Sequence, residues 1–399
     1  MTAIVLYDDD RARKFEPFAL TRPAGELRAG ALLIRERWTR ALGMPAAGFI
    51  GAPQLGSFDE EGAPNAVDGI ARGTIVANSR FAPALVAADP IGARWLAGGR
   101  VAAVRVARDV MPQELRGGGL PLDAFPAAEG GDAEIAGWWL DEIWSFIMLL
   151  GTMLNDDIPR LAAATGARTL GSGEAILIGP HPVFVERGAT IEPQVCFDTT
   201  LGPVLVRAGG GVQSFTRIVG PCYIGENSLI SSDRVSGCSI GPECRVHGEI
   251  SVSIFLGYGN KGHDGFIGHS YFGRWTNLGA ETVTSNLKNT YSSVSLWTPD
   301  GIRDTKLQFL GTFFGDHAKT GINVPLTTGT VLGAGANVMG AMPPKVVAPF
   351  AWGVAGTFET YRLDKFLEVA ARVMARRSVV LSERGRAQLA AAHAARWTE

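Results

Sequence analysis

The sequence predicts a mixed α/β layer over residues 1–170, a parallel β-helix over residues 171–355 and a helical tail over residues 356–399. Three observations carry this prediction. Short apolar runs alternate with helical patterns up to about residue 170, as in an α/β layer. Beyond that point apolar residues recur every six positions, a period that fits neither an alternating strand nor a helix. From about Phe358 the residues Leu363, Phe366, Leu367, Ala370, Val373 and Met374 form a stripe at helical spacing.

In order along the chain, residues 3–7, 74–78 and 100–105 read as strands and residues 31–42 as a helix. Residues 132–164, with Trp138, Trp139 and Trp144, read as helical and largely buried. The hexads then follow at Val185, Ile191 and Phe197, at Ile218, Ile224 and Ile230, at Ile240, Val246 and Val252, and at Phe314, Leu326, Leu332 and Val338. Each hexad supplies one short strand and one corner, and stacking the coils buries the recurrent apolar residue. Residues 199–211 break this register. Residues 286–309, with the turn Thr298-Pro299-Asp300-Gly301, read as a loop ejected from the solenoid, where function tends to collect. In the tail, Arg372, Arg376 and Arg377 lie outside the apolar stripe, as on a packing helix; anion binding is the alternative.

Composition narrows the function. The 399 residues carry 37 Lys+Arg against 39 Asp+Glu, a net charge of −2, which gives no electrostatic case for nucleic acid. The opening MTAIVLYDDD lacks the basic start and cleavage site of a secretory signal. The apolar run at 143–154 is shorter than the ~20 residues a bilayer needs. A cytoplasmic location with no membrane partner is therefore expected. Cys196, Cys222, Cys238 and Cys244 contain no C-x-x-C pair, so neither a zinc site nor a disulfide framework is supported.

Chemistry concentrates at residues 260–280. His263, Lys261 and the amide of Asn277 fall within a few coils of one another, and side chains on one face of stacked coils converge. His263 suits a general base, since an imidazole is largely unprotonated near neutral pH. A hydrogen-bonded corner histidine is the alternative.

The run GHDGFIGHSYFGRWTNLGAETVTSN resembles the acetyltransferase half of the bifunctional N-acetylglucosamine-1-phosphate uridyltransferase/glucosamine-1-phosphate acetyltransferase family, whose β-helix is left-handed. The resemblance implies that His263 is the catalytic base and that Asn277 and Asn286 bind the sugar. Gly279 and Ala280 would line the acetyl-CoA groove. Lys261 lies one residue from the family's lysine, which aligns with Asn260, and Lys319 follows the similar corner Gly315-Asp316. Three positions depart from the family: Phe266 replaces a tyrosine, Glu281 a glycine and Ser251 a lysine.

The opening, with Thr21-Arg22-Pro23-Ala24-Gly25-Glu26-Leu27-Arg28, and the GY-x-NK-x-HDGF-x-GHS segment at 257–270 resemble a divergent bacterial subgroup of the same enzymes, with a shortened nucleotidyltransferase-like domain. Arg13, Arg22 and Arg28 are candidates for sugar phosphate or nucleotide, with internal pairing to Glu26 or Asp9 as the alternative. Asp9 and Arg11 stand where nucleotidyltransferases carry phosphate-loop glycines. Asp8, Asp9 and Asp10 form either a Mg²⁺ site or a solvated turn, and the metal ligands stay unknown.

The implied activity is acetyl transfer from acetyl-CoA to an amino-sugar phosphate at the β-helix. Nucleotidyl transfer from a nucleoside triphosphate, with Mg²⁺, would take place at the N-terminal domain of a homotrimer. The alternatives are a nucleotidyltransferase trimerised by an inert β-helix, and a non-catalytic protein that binds sugar nucleotide or CoA.

Overall fold

The computed structural model describes residues 3–354 and 357–397. The chain divides into two compact units: residues up to Ser145 together with Ser382–Ala395, and Phe146–Leu381 with the residues after Ala395.

The N-terminal unit is built on a seven-stranded sheet. Strands Ile75–Asn78, Ile4–Tyr7, Ala46–Ile50 and Asn65–Ala66 run parallel, and Arg100–Arg105 joins Ile75–Asn78 antiparallel. The run Ile4–Tyr7 is buried on both faces, as its continuous apolar sequence requires. Helix α1 (Ile34–Leu42) buries Ile34, Trp38 and Leu42 and stops at Gly43, whose φ of 66° suits a left-handed cap.

The reading of residues 132–164 as one helix is corrected. Asp132–Glu134 adds to the sheet edge, and Gly137–Trp139 pairs antiparallel with Phe81–Pro83. Gly137 permits that pairing because a Cβ there would lie 2.5 Å from the Ala82 carbonyl oxygen. Trp139 is held between Phe81 and the guanidinium of Arg100, which sits 3.7 Å from the ring centroid. Helicity begins only at α2 (Ser145–Met148) and α3 (Leu150–Thr165).

In the second unit, parallel strands of two to four residues climb in three sheets, the faces of a β-helix. The hexad residues line its interior, from Val185 through Ile218, Ile224 and Ile240 to Val338. Phe255, Phe272 and Phe314 stack with centroids 4.4 and 4.5 Å apart. Cys238 and Cys244 are fully buried members of this core. Val252 is the exception among the hexads, since it occupies a corner with φ 44°. The register also survives residues 199–211: Val204–Val206 pairs with Val183–Val185 below and Cys222–Ile224 above, so the extra residues only widen one corner.

After strand Val283–Thr284 the ejected segment folds into a hairpin, Ser295–Thr298 against Gly301–Asp304, before the coils resume at Phe313–Phe314. Helix α3 packs on the β-helix strands Val204–Val206 and Cys222–Ile224 through its buried face, and it belongs to the same compact unit as they do. The tail is also divided. Its first part is a strand, Thr357–Thr360, followed by α4 (Leu363–Ala375), which buries Phe366 and Ala370. Helix α5 (Glu383–Ala394) belongs to the N-terminal unit, where Gln388 donates to the Thr21 carbonyl at 2.8 Å.

Candidate functional site

Strand register decides which residues face outward. On one face of the β-helix, Arg245, Asn260, Asn277, Lys319 and Asn337 align on successive coils while their neighbours Val246, Lys261, Leu278, Thr320 and Val338 point inward. The Asn260 amide donates to Asn277 Oδ1 at 2.8 Å, which joins two coils outside the core. The Lys319 ammonium donates to the His317 carbonyl at 2.9 Å, and burial pushes its pKa down to about 8.

Lys261 therefore does not reach a substrate. Its side chain is fully buried and its ammonium binds the carbonyls of His263 and Asp264, the latter at 2.7 Å. Burial lowers its pKa to about 8 against the opposing pull of Asp264 and Glu281. The physical reason is parity: a one-residue step along a strand exchanges outside for inside. Asn260, the position aligned with the family's lysine, takes the outward place.

His263 is exposed at the next corner, and among the described residues its ring has no hydrogen-bond partner. The corner is firmly built. Lys261 holds its carbonyls from within, and His247, bonded to the Ser231 carbonyl, reaches Asp264 Oδ1 at 2.7 Å. Glu281 occupies the equivalent corner one coil on, exposed, with φ 59° and its N–H bonded to the Asp264 carbonyl. Gly279 serves coil stacking, because a Cβ there would overlap the Gly321 carbonyl and lie 2.6 Å from the Ile322 nitrogen. Ala280, between them, is half-buried.

Asn286 stands at the far end of strand Phe266–Gly268 from His263. There its amide lies 2.9 Å from Nδ1 of His269, whose ring stacks on Phe309 of the ejected segment at 5.4 Å. Burial lowers the His269 pKa to about 4, so this imidazole is neutral at pH 7. With the Asn286 amide donating to Nδ1, the ring proton sits on Nε2, which makes His269 a hydrogen-bond donor and not a base. Sequence reasoning missed His269, because its partner Phe309 lies forty residues on, in a segment without periodicity. The candidate residues thus divide: Asn277 and Lys319 on one face, Asn286 with His269 at the far corner of the next, and His263 at the corner between.

In the N-terminal unit, the carboxyl ends of parallel strands collect Asp8, Asp9, Asn78, Ser79 and Arg80, the place where open α/β sheets bind ligands. Asp8 is buried, accepts from the Ala24 N–H at 3.0 Å, and is pushed by burial up to about 6 despite the Ser79 hydroxyl and Arg13 nearby. Asp9 is chelated by Arg80 at 2.7 Å and bonded by Asn78 at 3.0 Å, and these partners hold its pKa low against burial. Arg80 also pairs with Asp141 at 2.6 Å.

The loop amides are spent internally: Asp10 N–H on Gly118, Ala12 N–H on the Asp9 carboxylate, and Arg13 N–H on the Asp9 carbonyl. Nor do the three carboxylates fit a divalent cation. Asp9 is neutralised by Arg80 and Asp10 by Lys14, and among the described residues no group of three potential ligands converges. Arg22 and Arg28 are corrected as phosphate ligands. Arg22 is 1% exposed and forks onto Glu60 at 2.7 Å, while Arg28 is 4% exposed and donates to the Ala31 carbonyl. Arg13 stays partly accessible and donates to the Asp8 carbonyl at 3.0 Å.

Residues 4–165 match the family model described as sugar nucleotidyl transferase. The chain is similar to the bifunctional protein GlmU of Desulfitobacterium hafniense, at 26% identity over 200 residues, covering 43% of this chain and 40% of that protein. It is also similar to GlmU of Methanococcus vannielii, at 32% identity over 127 residues, covering 31% of this chain and 28% of that one. The matched stretches thus span less than half the length of these relatives. Among solved structures, an N-acyltransferase from Bacillus cereus, AntD, bound to dTDP-4-amino-4,6-dideoxyglucose and coenzyme A, aligns at 11% identity with a TM-score of 0.22, covering 55% of this chain and 97% of that one. No helix among the described residues is long and apolar enough to cross a membrane.

Proposed function

We propose that this protein is a transferase of sugar-nucleotide biosynthesis whose β-helix moves the acetyl group of acetyl-CoA to the amine of an amino-sugar phosphate, with His263 as general base. The observation that carries this reading is the His263 corner: an exposed imidazole without an internal partner, on a turn held rigid from inside by Lys261. A base must be free to take a proton and fixed enough to be aimed, and this corner meets both demands. In the transfer, the amine attacks the thioester carbonyl, its proton passes to His263, and the thiolate of coenzyme A leaves and is protonated. Because Asn277 and Asn286 lie on different faces, one chain presents an open groove, and the reading includes a homotrimer in which a neighbouring copy closes it.

The test is free-thiol release from acetyl-CoA with a panel of hexosamine 1-phosphates, comparing the wild-type chain with His263→Ala. Amine-dependent release that falls roughly 10²–10⁴-fold in the variant is expected. Equal silence of both across the panel would refute the reading.

Nucleotidyl transfer at the N-terminal unit is the second reading, favoured by the family match over residues 4–165. The occupied loop amides and the Arg80–Asp9 pair weigh against it. Release of pyrophosphate from a nucleoside triphosphate with a hexose 1-phosphate tests it directly.

A further inference from the structure

The outward ladder of Asn260, Asn277 and Lys319 lines a cavity of about 220 Å³ whose opposite wall is Val373, Arg376 and Arg377, at the end of α4. We propose that this cavity binds the phosphate group of a phosphorylated ligand. Three cationic side chains converge there, from elements more than fifty residues apart in sequence, and no carboxylate lines the cavity. Among the described residues, neither Arg376 nor Arg377 makes an ion pair. Among the charged side chains, Arg377 feels Arg245, Arg376 and one carboxylate, Glu243.

Gathering like charges in a concave, partly dehydrated place is costly unless an anion joins them. Lys319 spends one of its three N–H donors on the His317 carbonyl, so two remain for a ligand. Asn277 accepts from Asn260 through its oxygen, which leaves its NH₂ able to donate. The two guanidinium groups supply planar forks suited to phosphate oxygens.

A helix end is ordinarily hostile to an anion because its last carbonyls carry partial negative charge. Here the Met374 carbonyl is taken by the N–H groups of Arg377 and Val379, and the Ala375 carbonyl by that of Ser378. The remaining wall is apolar and aromatic: Tyr258 and Trp275 stack at 4.1 Å, a surface for the uncharged part of the ligand. A phosphomonoester, close to a dianion at pH 7, matches this excess of positive charge.

The site stands without the acetyl-transfer reading and depends on it only for which phosphorylated molecule arrives, since an amino-sugar phosphate and coenzyme A both carry the group. The experiment is isothermal titration of the full chain with inorganic phosphate, glucosamine 1-phosphate and coenzyme A. Glucosamine and pantetheine serve as unphosphorylated controls. The variants are Arg376→Ala/Arg377→Ala and Lys319→Met, checked for retained fold by circular dichroism.

Affinity for at least one phosphorylated probe should fall roughly tenfold to a hundredfold in each variant, with stronger salt dependence in the wild type than in the variants. Glucosamine 1-phosphate alone responding identifies a sugar phosphate, coenzyme A alone the coenzyme, and equal response to all three a site for the bare phosphate group. Unchanged affinities in both variants, or no binding of any phosphorylated probe to the wild type, overturns the proposal. Binding that follows the cations without any thiol release retains the site and rejects the acetyl-transfer reading.

Discussion

Asp8 offers a quantitative test of the N-terminal unit. Its carboxyl is buried at the end of strand Ile4–Tyr7 and titrates at about 6, against an ordinary 3.8. Two pKa units at about 1.36 kcal/mol each make the ionised form about 3 kcal/mol less favourable in the folded chain than in the unfolded one. Between those two values the folded chain holds more protons, so the contribution is fully present below about pH 4 and is lost as pH rises through 6. Asp8→Asn removes the ionisation, keeps an oxygen for the Ala24 N–H, and places its amide beside the Ser79 hydroxyl.

At pH 7.5 the variant should be more stable than wild type by up to about 3 kcal/mol, roughly 6–12 °C in midpoint for a unit of this size. The difference should close towards pH 4. Calorimetry from pH 4 to 7.5 measures it, and hydrogen exchange in peptides covering residues 4–7 assigns the transition to this unit. A variant no more stable than wild type at pH 7.5, or one that keeps the wild-type slope between pH 4 and 6, refutes the reasoning. If the gain is found, the carboxylate costs the fold more than it returns, and its retention points to chemistry at the sheet edge.

His269 works in the opposite direction in the other unit. With its folded pKa lowered to about 4, its contribution to stability is present above its unfolded value near 6.5 and lost as pH falls through 4. Nuclear magnetic resonance of the imidazole Cε1–H should therefore show no ionisation above about pH 5, and a midpoint near 6.5 would contradict the burial argument. Gly279→Ala should lower the unfolding free energy of the β-helix by about 1–3 kcal/mol, because the new methyl group must displace the Gly321 backbone. A neutral result in denaturant titration would mean that the coils separate easily at this level.

Much of the fold was legible in the hexads. Residues such as Ile218, Ile224, Ile230 and Ile240 announce the β-helix because stacking admits apolar side chains only at one position in six. Val252 shows the limit, since the period continues through a corner that the backbone turns with a left-handed residue. The tryptophan-rich stretch near 138 was misread because spacing alone cannot separate a buried helix from a strand covered by arginines and aromatic rings. The site was legible in part. His263 stands out by motif, whereas Lys261 looks like a ligand until strand parity turns it inward.

What the sequence by itself determined is the repeat, and with it the parallel coils and the ejected segment at 286–309, because periodic burial is a local property of the chain. Only the tertiary structure decided partnership. Arg22 went to Glu60, Arg80 to Asp9 and Asp141, and His269 to Asn286, while Arg376 and Arg377 came to face Lys319 across a cavity. Charges and hydrogen bonds act over a few ångströms, and which groups come within that reach is set by how distant segments pack.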